Sequence, residues 1–294
     1  MKELEQIQLI KNRSYTACIA EAHKLFFSNL KTIIQKTWIY SLLTAIALAL
    51  FAFFHIDIST TDYQGEVPYG YFASIIIALS AIIVLFARIM ALANGKKMKY
   101  NITRCGKISV FYIILLLINI VGVGLIYYKL SGGTMSINNL QSTQKVFALS
   151  SGLFILLNII AIPVSYISYK YVFEAENKLH KIFFKGYITG IRHFGLLFLT
   201  WLIVSIIIVS CCILASMPAI IILLAKGLSA FGETFNGDPS GLPAYFNILT
   251  FATFTFTSFI CIYINVFSAL VYLLVYGSIE AREKGREDFI KRQI

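Results

Sequence analysis

Several long stretches of this chain carry no acidic or basic side chain, and they constrain its fold more than any other feature. Between Lys36 and Asp57, the residues from Trp38 to Ile56 are apolar or hydroxyl-bearing apart from one histidine. Comparable runs cover Tyr69 to Ala93, where Arg88 near the end is the one exception, then Ile108 to Tyr128, Val146 to Tyr169, Phe194 to Ala225 and about Tyr245 to Ser278. A helix rising about 1.5 Å per residue needs about 20 residues to cross a hydrocarbon layer roughly 30 Å thick. Backbone groups in lipid must bond within their own segment or around a closed barrel, and these runs lack the alternation of barrel strands. The expected fold is therefore all-α: a polytopic membrane helix bundle with six transmembrane helices. Composition agrees, because charged residues make up only 13% of the chain, about half the share in soluble domains.

The basic residues sort by side. Lys and Arg number six in the first 37 residues. Five follow the second run (Lys96, Lys97, Lys99, Arg104, Lys107), five follow the fourth (Lys170, Lys178, Lys181, Lys185, Arg192), and five lie in the C-terminal tail. The connections 57 to 68, 129 to 145 and 226 to 244 hold none, two and one. Because cytoplasmic loops retain Lys and Arg, this predicts a multi-pass protein of the cytoplasmic (inner) membrane with both termini in the cytoplasm. The net charge of +11 then lies where anionic headgroups attract it, at about 1 kcal/mol per residue near the surface. Nucleic acid is not an expected partner. The first apolar run begins only at Trp38, behind a charged amphipathic leader, which does not read as a secretory signal peptide.

Two segments ahead of apolar runs echo one another. HKLFFSNLKTIIQK from His23 and HKIFFKGYITGIRH from His180 align without a gap. In the first, Ala22, Leu25, Phe26, Leu30, Ile33 and Ile34 recur at helical spacing opposite Lys24, Ser28, Lys31 and Gln35. In the second, Leu179, Ile182, Phe183, Tyr187 and Ile191 oppose Lys181, Lys185, Thr189 and Arg192. Such lead-in helices suit the headgroup plane, so Lys24, Lys31, Lys181, Lys185 and Arg192 are the expected contacts to anionic lipid headgroups. Polar helical extensions are also expected at 92 to 99, 173 to 181 and 278 to 286, after the even-numbered spans. The single membrane domain, residues 1–294, then divides into three repeated helical hairpins, 14–93, 94–176 and 177–281, each with an amphipathic interfacial lead-in helix. The middle unit has the least regular lead-in, KKMKYNITRCGK. Chance similarity of apolar segments is the competing reading.

This pattern of basic-aromatic lead-in helices on a six-span plan resembles a broad group of bacterial inner-membrane proteins, including the membrane domain fused to some glycerophosphodiester phosphodiesterases. The resemblance implies a lipid-associated or envelope role. It transfers no catalytic residues, because the phosphodiesterase domain has no counterpart in this chain.

Within the spans, packing signals outnumber chemical ones. Ala73, Ser80 and Ala87 fall at heptad spacing with Ala91 one turn on, a small-residue face for close helix approach. Gly122 and Gly124 should loosen the third span, and Pro163 and Pro218 should kink the fourth and fifth. The fifth run exceeds the bilayer core and must tilt, bend at Pro218 or project. His23, His55, His180 and His193 form no HxxxH or HExxH pair, so no metal or other cofactor is expected. Cys18, Cys105, Cys211, Cys212 and Cys261 form no CxxC and read as small apolar residues. Glu174 and Glu176 read as a solvated helix end.

No catalytic residue is assigned, and enzymatic activity is not expected. The polar side chains inside spans are Asn119, Asn158 and Asn265, which face either a partner helix or a solute path. No Asp, Glu or Lys lies mid-membrane, and Arg88 is near enough to the end to snorkel. Two readings follow. One is a non-enzymatic scaffold or accessory protein associating with membrane lipids at the cytoplasmic leaflet, with a membrane or cytoplasmic protein partner. The other is a permease or exporter for an apolar or amphipathic solute. A continuous polar cavity between spans would favour the permease, and a closed apolar bundle the scaffold.

Overall fold

A computed structural model of the 294-residue chain describes residues 9–60, 69–130, 140–174, 178–237, 241–243 and 245–293. The α-helices among them are α1 (Tyr15–Ser28), α2 (Leu30–Thr60), α3 (Tyr69–Asn94), α4 (Met98–Leu130), α5 (Leu140–Phe173), α6 (Leu179–Arg192), α7 (Phe194–Ala215), α8 (Met217–Phe231) and α9 (Phe246–Gln293). A π-helical turn, Gly232–Asn236, follows α8. Six of these helices, α2, α3, α4, α5, α7 and α9, are long and apolar enough to cross a membrane. The chain is a multi-pass integral membrane protein.

Local chemistry sets several helix ends. Ser14 caps α1, its Oγ accepting from the Ala17 N–H at 3.2 Å. The helix α3 stops at Asn94 because Gly95 turns the chain with φ of 67°. It does not run on through residue 99 as the lysine-rich pattern predicts. The C-terminal extension does form, with α9 continuing from the last span to Gln293. The extension expected at 173 to 181 ends instead at Phe173, and residues 175–177 lie outside the described residues.

The central helix is α9, which packs against α1, α2, α5, α7 and α8. Half of its most apolar window, 50%, is buried inside the bundle, against 6% for the peripheral α4. The buried core gathers in the half that carries both termini. There Cys18 and Phe26 of α1, Met90 of α3, Cys105 of α4, Ile167 and Val172 of α5, Leu197 of α7 and Val271 to Ile279 of α9 form one cluster. Towards the opposite, loop-bearing end, α4, α5 and α8 turn Val121, Leu125, Phe154 and Leu228 outward. In a membrane protein that apolar surface faces lipid at no cost.

The lead-in helices depart from expectation. The first begins at Tyr15, breaks at Asn29, and leaves residues 30–37 as the first turns of α2. Its apolar residues Ala22, Leu25 and Phe26 are buried in protein, since α1 packs on α9 and α7. An amphipathic stripe fits a protein groove as well as a lipid surface, so periodicity alone does not separate the two. The second, α6, breaks at His193, whereas the position aligned with Asn29 is Gly186, inside α6. The middle segment has no separate lead-in at all, because α4 is continuous from Met98. The three proposed units are thus not built from the same elements.

Small residues act where helices meet closely. Gly186 and Gly190 lie on the buried face of α6, and a Cβ at Gly190 would come within 2.9 Å of the Pro163 carbonyl oxygen of α5. Pro163 stays inside α5, and nearby the Tyr187 hydroxyl of α6 donates to the Ile160 carbonyl at 3.3 Å. Pro218 does interrupt its run: α7 ends at Ala215 and α8 starts at Met217. Gly122 breaks nothing; α4 is continuous there, and a Cβ would collide with Leu153 of α5. The predicted small-residue face divides: Ala87 is buried and Ala91 half-buried, whereas Ala73 and Ser80 are exposed. Where α2 and α3 pack together, Ala78 of α3 is buried and the Thr44 hydroxyl of α2 bonds the Ala81 carbonyl at 3.2 Å. A heptad count cannot find this seam, because a straight helix drifts against a strict seven-residue repeat.

Ion pairs tie the termini end together. Tyr166 of α5 donates to Glu280 of α9 at 2.5 Å, and Lys170 meets Glu280 at 2.7 Å and Glu174 at 3.2 Å. Arg192 and His193, at the α6–α7 break, both meet Glu283 at 2.9 Å. The buried backbone of Arg13 exchanges bonds with the Ser278 hydroxyl, while the Arg13 guanidinium bonds Glu21 at 2.6 Å. Arg88 binds its neighbour helix instead of reaching only for water, donating to the Lys36 carbonyl at 3.0 Å and lying over the Tyr40 ring.

Candidate functional site

Alternating basic and aromatic residues open α4, and the start of α6 lies across from them. Lys99, Thr103 and Lys107 are four residues apart on α4, as are Tyr100 and Arg104, so these side chains share one side of the helix. On α6 the same role falls to Lys178, at its cap, and to His180, Phe183 and Phe184. Between them is a cleft of about 1170 Å³, lined also by Lys97 and by Tyr171 of α5.

Two cations at this place serve the fold. Arg104 lies over the rings of Tyr100 and Tyr171 at 4.7 and 4.4 Å, and donates to the carbonyls of Tyr171 and Glu174. Lys96 donates to the Phe173 carbonyl at 2.8 Å and to the Tyr100 hydroxyl at 3.1 Å. Both satisfy carbonyls that the end of α5 leaves without helical partners, at the negative end of its dipole. Among the described residues, the remaining lysines, Lys97, Lys99, Lys107 and Lys178, make no ion pair and no acidic side chain lines the cleft. Uncompensated like charges around an aromatic floor attract an anion that carries apolar groups. Phosphate or carboxylate oxygens would meet the ammonium groups, and apolar parts would lie on Tyr100, Tyr171 and Phe183.

No family model, curated protein or solved structure matches this chain. Its own geometry therefore carries the functional argument.

The expected headgroup contacts lie outside this cleft. Lys181, Lys185 and Arg192 form one exposed stripe along α6, beside exposed Phe184, Ile188 and Ile191, while Ile182, Gly186 and Gly190 face the bundle. Arg192 is held by Glu283. Lys24 and Lys31 are exposed on α1 and α2 and do not line the cleft. The cleft lysines Lys97, Lys99, Lys107 and Lys178 enter the sequence argument only as charges that orient the chain. The signal that finds them is the four-residue spacing of Lys99, Thr103 and Lys107 beside Tyr100 and Arg104.

The mid-span asparagines divide. Asn158 and the exposed Asn265 line one cavity of about 740 Å³ between the spans, open on the side of the exposed Ile82 and Leu116. Asn119 does not, and its Nδ2 is buried without a partner among the described residues. Most of that cavity's hydroxyls are already engaged: Tyr112 with Ser168 at 3.3 Å, Tyr169 with the Ala269 carbonyl at 2.9 Å, and Thr44 with the Tyr40 carbonyl at 2.7 Å. A second cavity of about 310 Å³ lies beside the α7–α8 break. Among the described residues, no three of His, Cys, Asp or Glu gather as metal ligands would. In α1, burial pushes the Cys18 thiol up to about 11 although the Arg13 charge pulls it down, so this cysteine is a packed side chain and not a nucleophile.

Proposed function

We propose that this chain is a non-enzymatic scaffold or accessory protein of a cytoplasmic membrane, which binds anionic lipid at its cytoplasmic leaflet. One observation carries the reading: four lysines without acidic partners among the described residues surround an aromatic-floored cleft at the end of the bundle that bears both termini. The positive-inside rule puts that end in the cytoplasm, and each such cation contributes about 1 kcal/mol of attraction to an anionic surface. The basic stripe Lys181, Lys185 and Arg192, with Phe184 and Ile188 beside it, extends the same surface along α6. A membrane or cytoplasmic protein partner fits the long charged end of α9.

A second reading is favoured by a separate observation. Asn158 and Asn265 converge on a cavity between the spans, as a permease or exporter for an apolar or amphipathic solute requires. Lipidomics on purified protein separates the two. Lys97→Gln, Lys99→Gln, Lys107→Gln and Lys178→Gln together should strip co-purifying anionic lipid, while Asn158→Leu with Asn265→Leu should leave it in place. If only the asparagine pair abolishes a cellular phenotype of the gene, and the lysine set changes neither lipid nor phenotype, the permease reading replaces the scaffold.

A further inference from the structure

We propose that the two cavities between the spans form one binding site for an uncharged amphiphile, a long apolar chain ending in a hydroxyl or carbonyl group. They stack along the bundle: both touch Leu48 of α2 and Ile262 and Asn265 of α9. The larger, about 740 Å³, continues along α9 to Tyr272, and the smaller, about 310 Å³, reaches Phe254 towards the loop-bearing end. Each volume falls within the roughly 300–1,000 Å³ of small-molecule sites. Among the described residues, no charged side chain lines either one. An ionised head would be left unpaired there, so this site selects differently from the cationic cleft.

Thr257 identifies the head position. A threonine inside a helix ordinarily returns its hydroxyl proton to the carbonyl four residues earlier. Thr44, Thr200, Thr250 and Thr255 all do so here, at 2.7 to 2.9 Å. Thr257 does not: it is 6% exposed, lines the smaller cavity, and its Oγ1 has no hydrogen-bond partner among the described residues. A buried hydroxyl without a partner is costly, and a ligand hydroxyl or carbonyl in the cavity would satisfy it.

Asn265 stands where the cavities meet. Its Nδ2 donates to the Cys261 carbonyl at 2.9 Å, which leaves the Oδ1 acceptor available. Two helical turns separate it from Thr257, so the two do not grip the same atom. Thr257 takes the head, and the chain passes Asn265 into the larger cavity. That cavity's rim includes the exposed Ile82 and Leu116, so it opens sideways to the lipid-facing surface and a molecule dissolved in the bilayer can enter.

The test uses the full chain in lipid nanodiscs and a photoactivatable diazirine derivative of hexadecanol, with crosslinks mapped by mass spectrometry. Labelling should saturate, map to α4, α5 and α9, and be displaced by hexadecanol but not by hexadecyl phosphate or hexadecane. Thr257→Val should weaken the apparent affinity about threefold to tenfold, and Thr257→Ser should restore it. Thr250→Val, whose parent hydroxyl already bonds within its helix, should leave it unchanged, as should the four-lysine cleft substitutions. Ala219→Val, which narrows the smaller cavity from α8, should weaken binding and serves if Thr257→Val does not fold. Labelling that does not saturate, equal displacement by hexadecane or hexadecyl phosphate, or full affinity in both Thr257→Val and Ala219→Val would overturn the proposal.

Discussion

Glu280 accepts from Tyr166 at 2.5 Å and from Lys170 at 2.7 Å while only 8% exposed. Removing one partner of a buried pair costs about 3–5 kcal/mol, because the other charge is left uncompensated. Here Glu174 still meets Lys170, so Glu280→Ala should destabilise by about 3 kcal/mol, the lower end of that range. SDS titration followed by circular dichroism measures it. Lys170→Met should destabilise as well, because it takes the cation from both Glu280 and Glu174. This pairing was not legible in the sequence, where Lys170 and Glu280 read as unrelated charges at the ends of two spans. Their encounter depends on the crossing of α5 and α9, which no local pattern encodes. Thr257 was equally hidden, since its distinction is a missing bond.

Helices α5 and α6 meet through Gly186 and Gly190, four residues apart on the buried face of α6. A side chain at 190 would press on the Pro163 backbone, which cannot rotate away as a flexible side chain could. Gly190→Leu should therefore release α6 from α5, with Gly190→Ala milder. Protease cleavage between residues 175 and 193 on proteoliposomes should accelerate at least tenfold in Gly190→Leu and remain slow in Gly106→Ala, where nothing stands in the way of a Cβ. At this scale the sequence was informative about kind and weaker about boundaries. Charge-free length identified all six spans, and periodicity identified two amphipathic helices. It could not say that α1 buries its stripe against α9 and α7, nor that the break falls at Asn29. Pro218 acted as a proline in a helix should, whereas Pro163 was accommodated where Tyr187 bonds a neighbouring carbonyl.

Across the whole molecule, core and charge lie at the same end. The tightest packing, the ion pairs around Glu280 and Glu283, and the cationic cleft all occupy the half with the termini. From the lysine distribution we propose that this half faces the cytoplasm. Lys97→Cys should then react with a membrane-impermeant maleimide only from the cytoplasmic side, and Asp62→Cys only from the outside. Labelling of both from one side would reverse the account of orientation. The central claim is that the four cleft lysines select anionic headgroups, and native mass spectrometry of the protein titrated with phosphatidylglycerol or phosphatidylcholine tests it most directly. The account predicts a clear preference for phosphatidylglycerol in the wild-type chain, reduced at least tenfold by Lys97→Gln, Lys99→Gln, Lys107→Gln and Lys178→Gln together, a loss of about 1.4 kcal/mol or more. An unchanged preference in that variant, with its six spans still inserted, would contradict it.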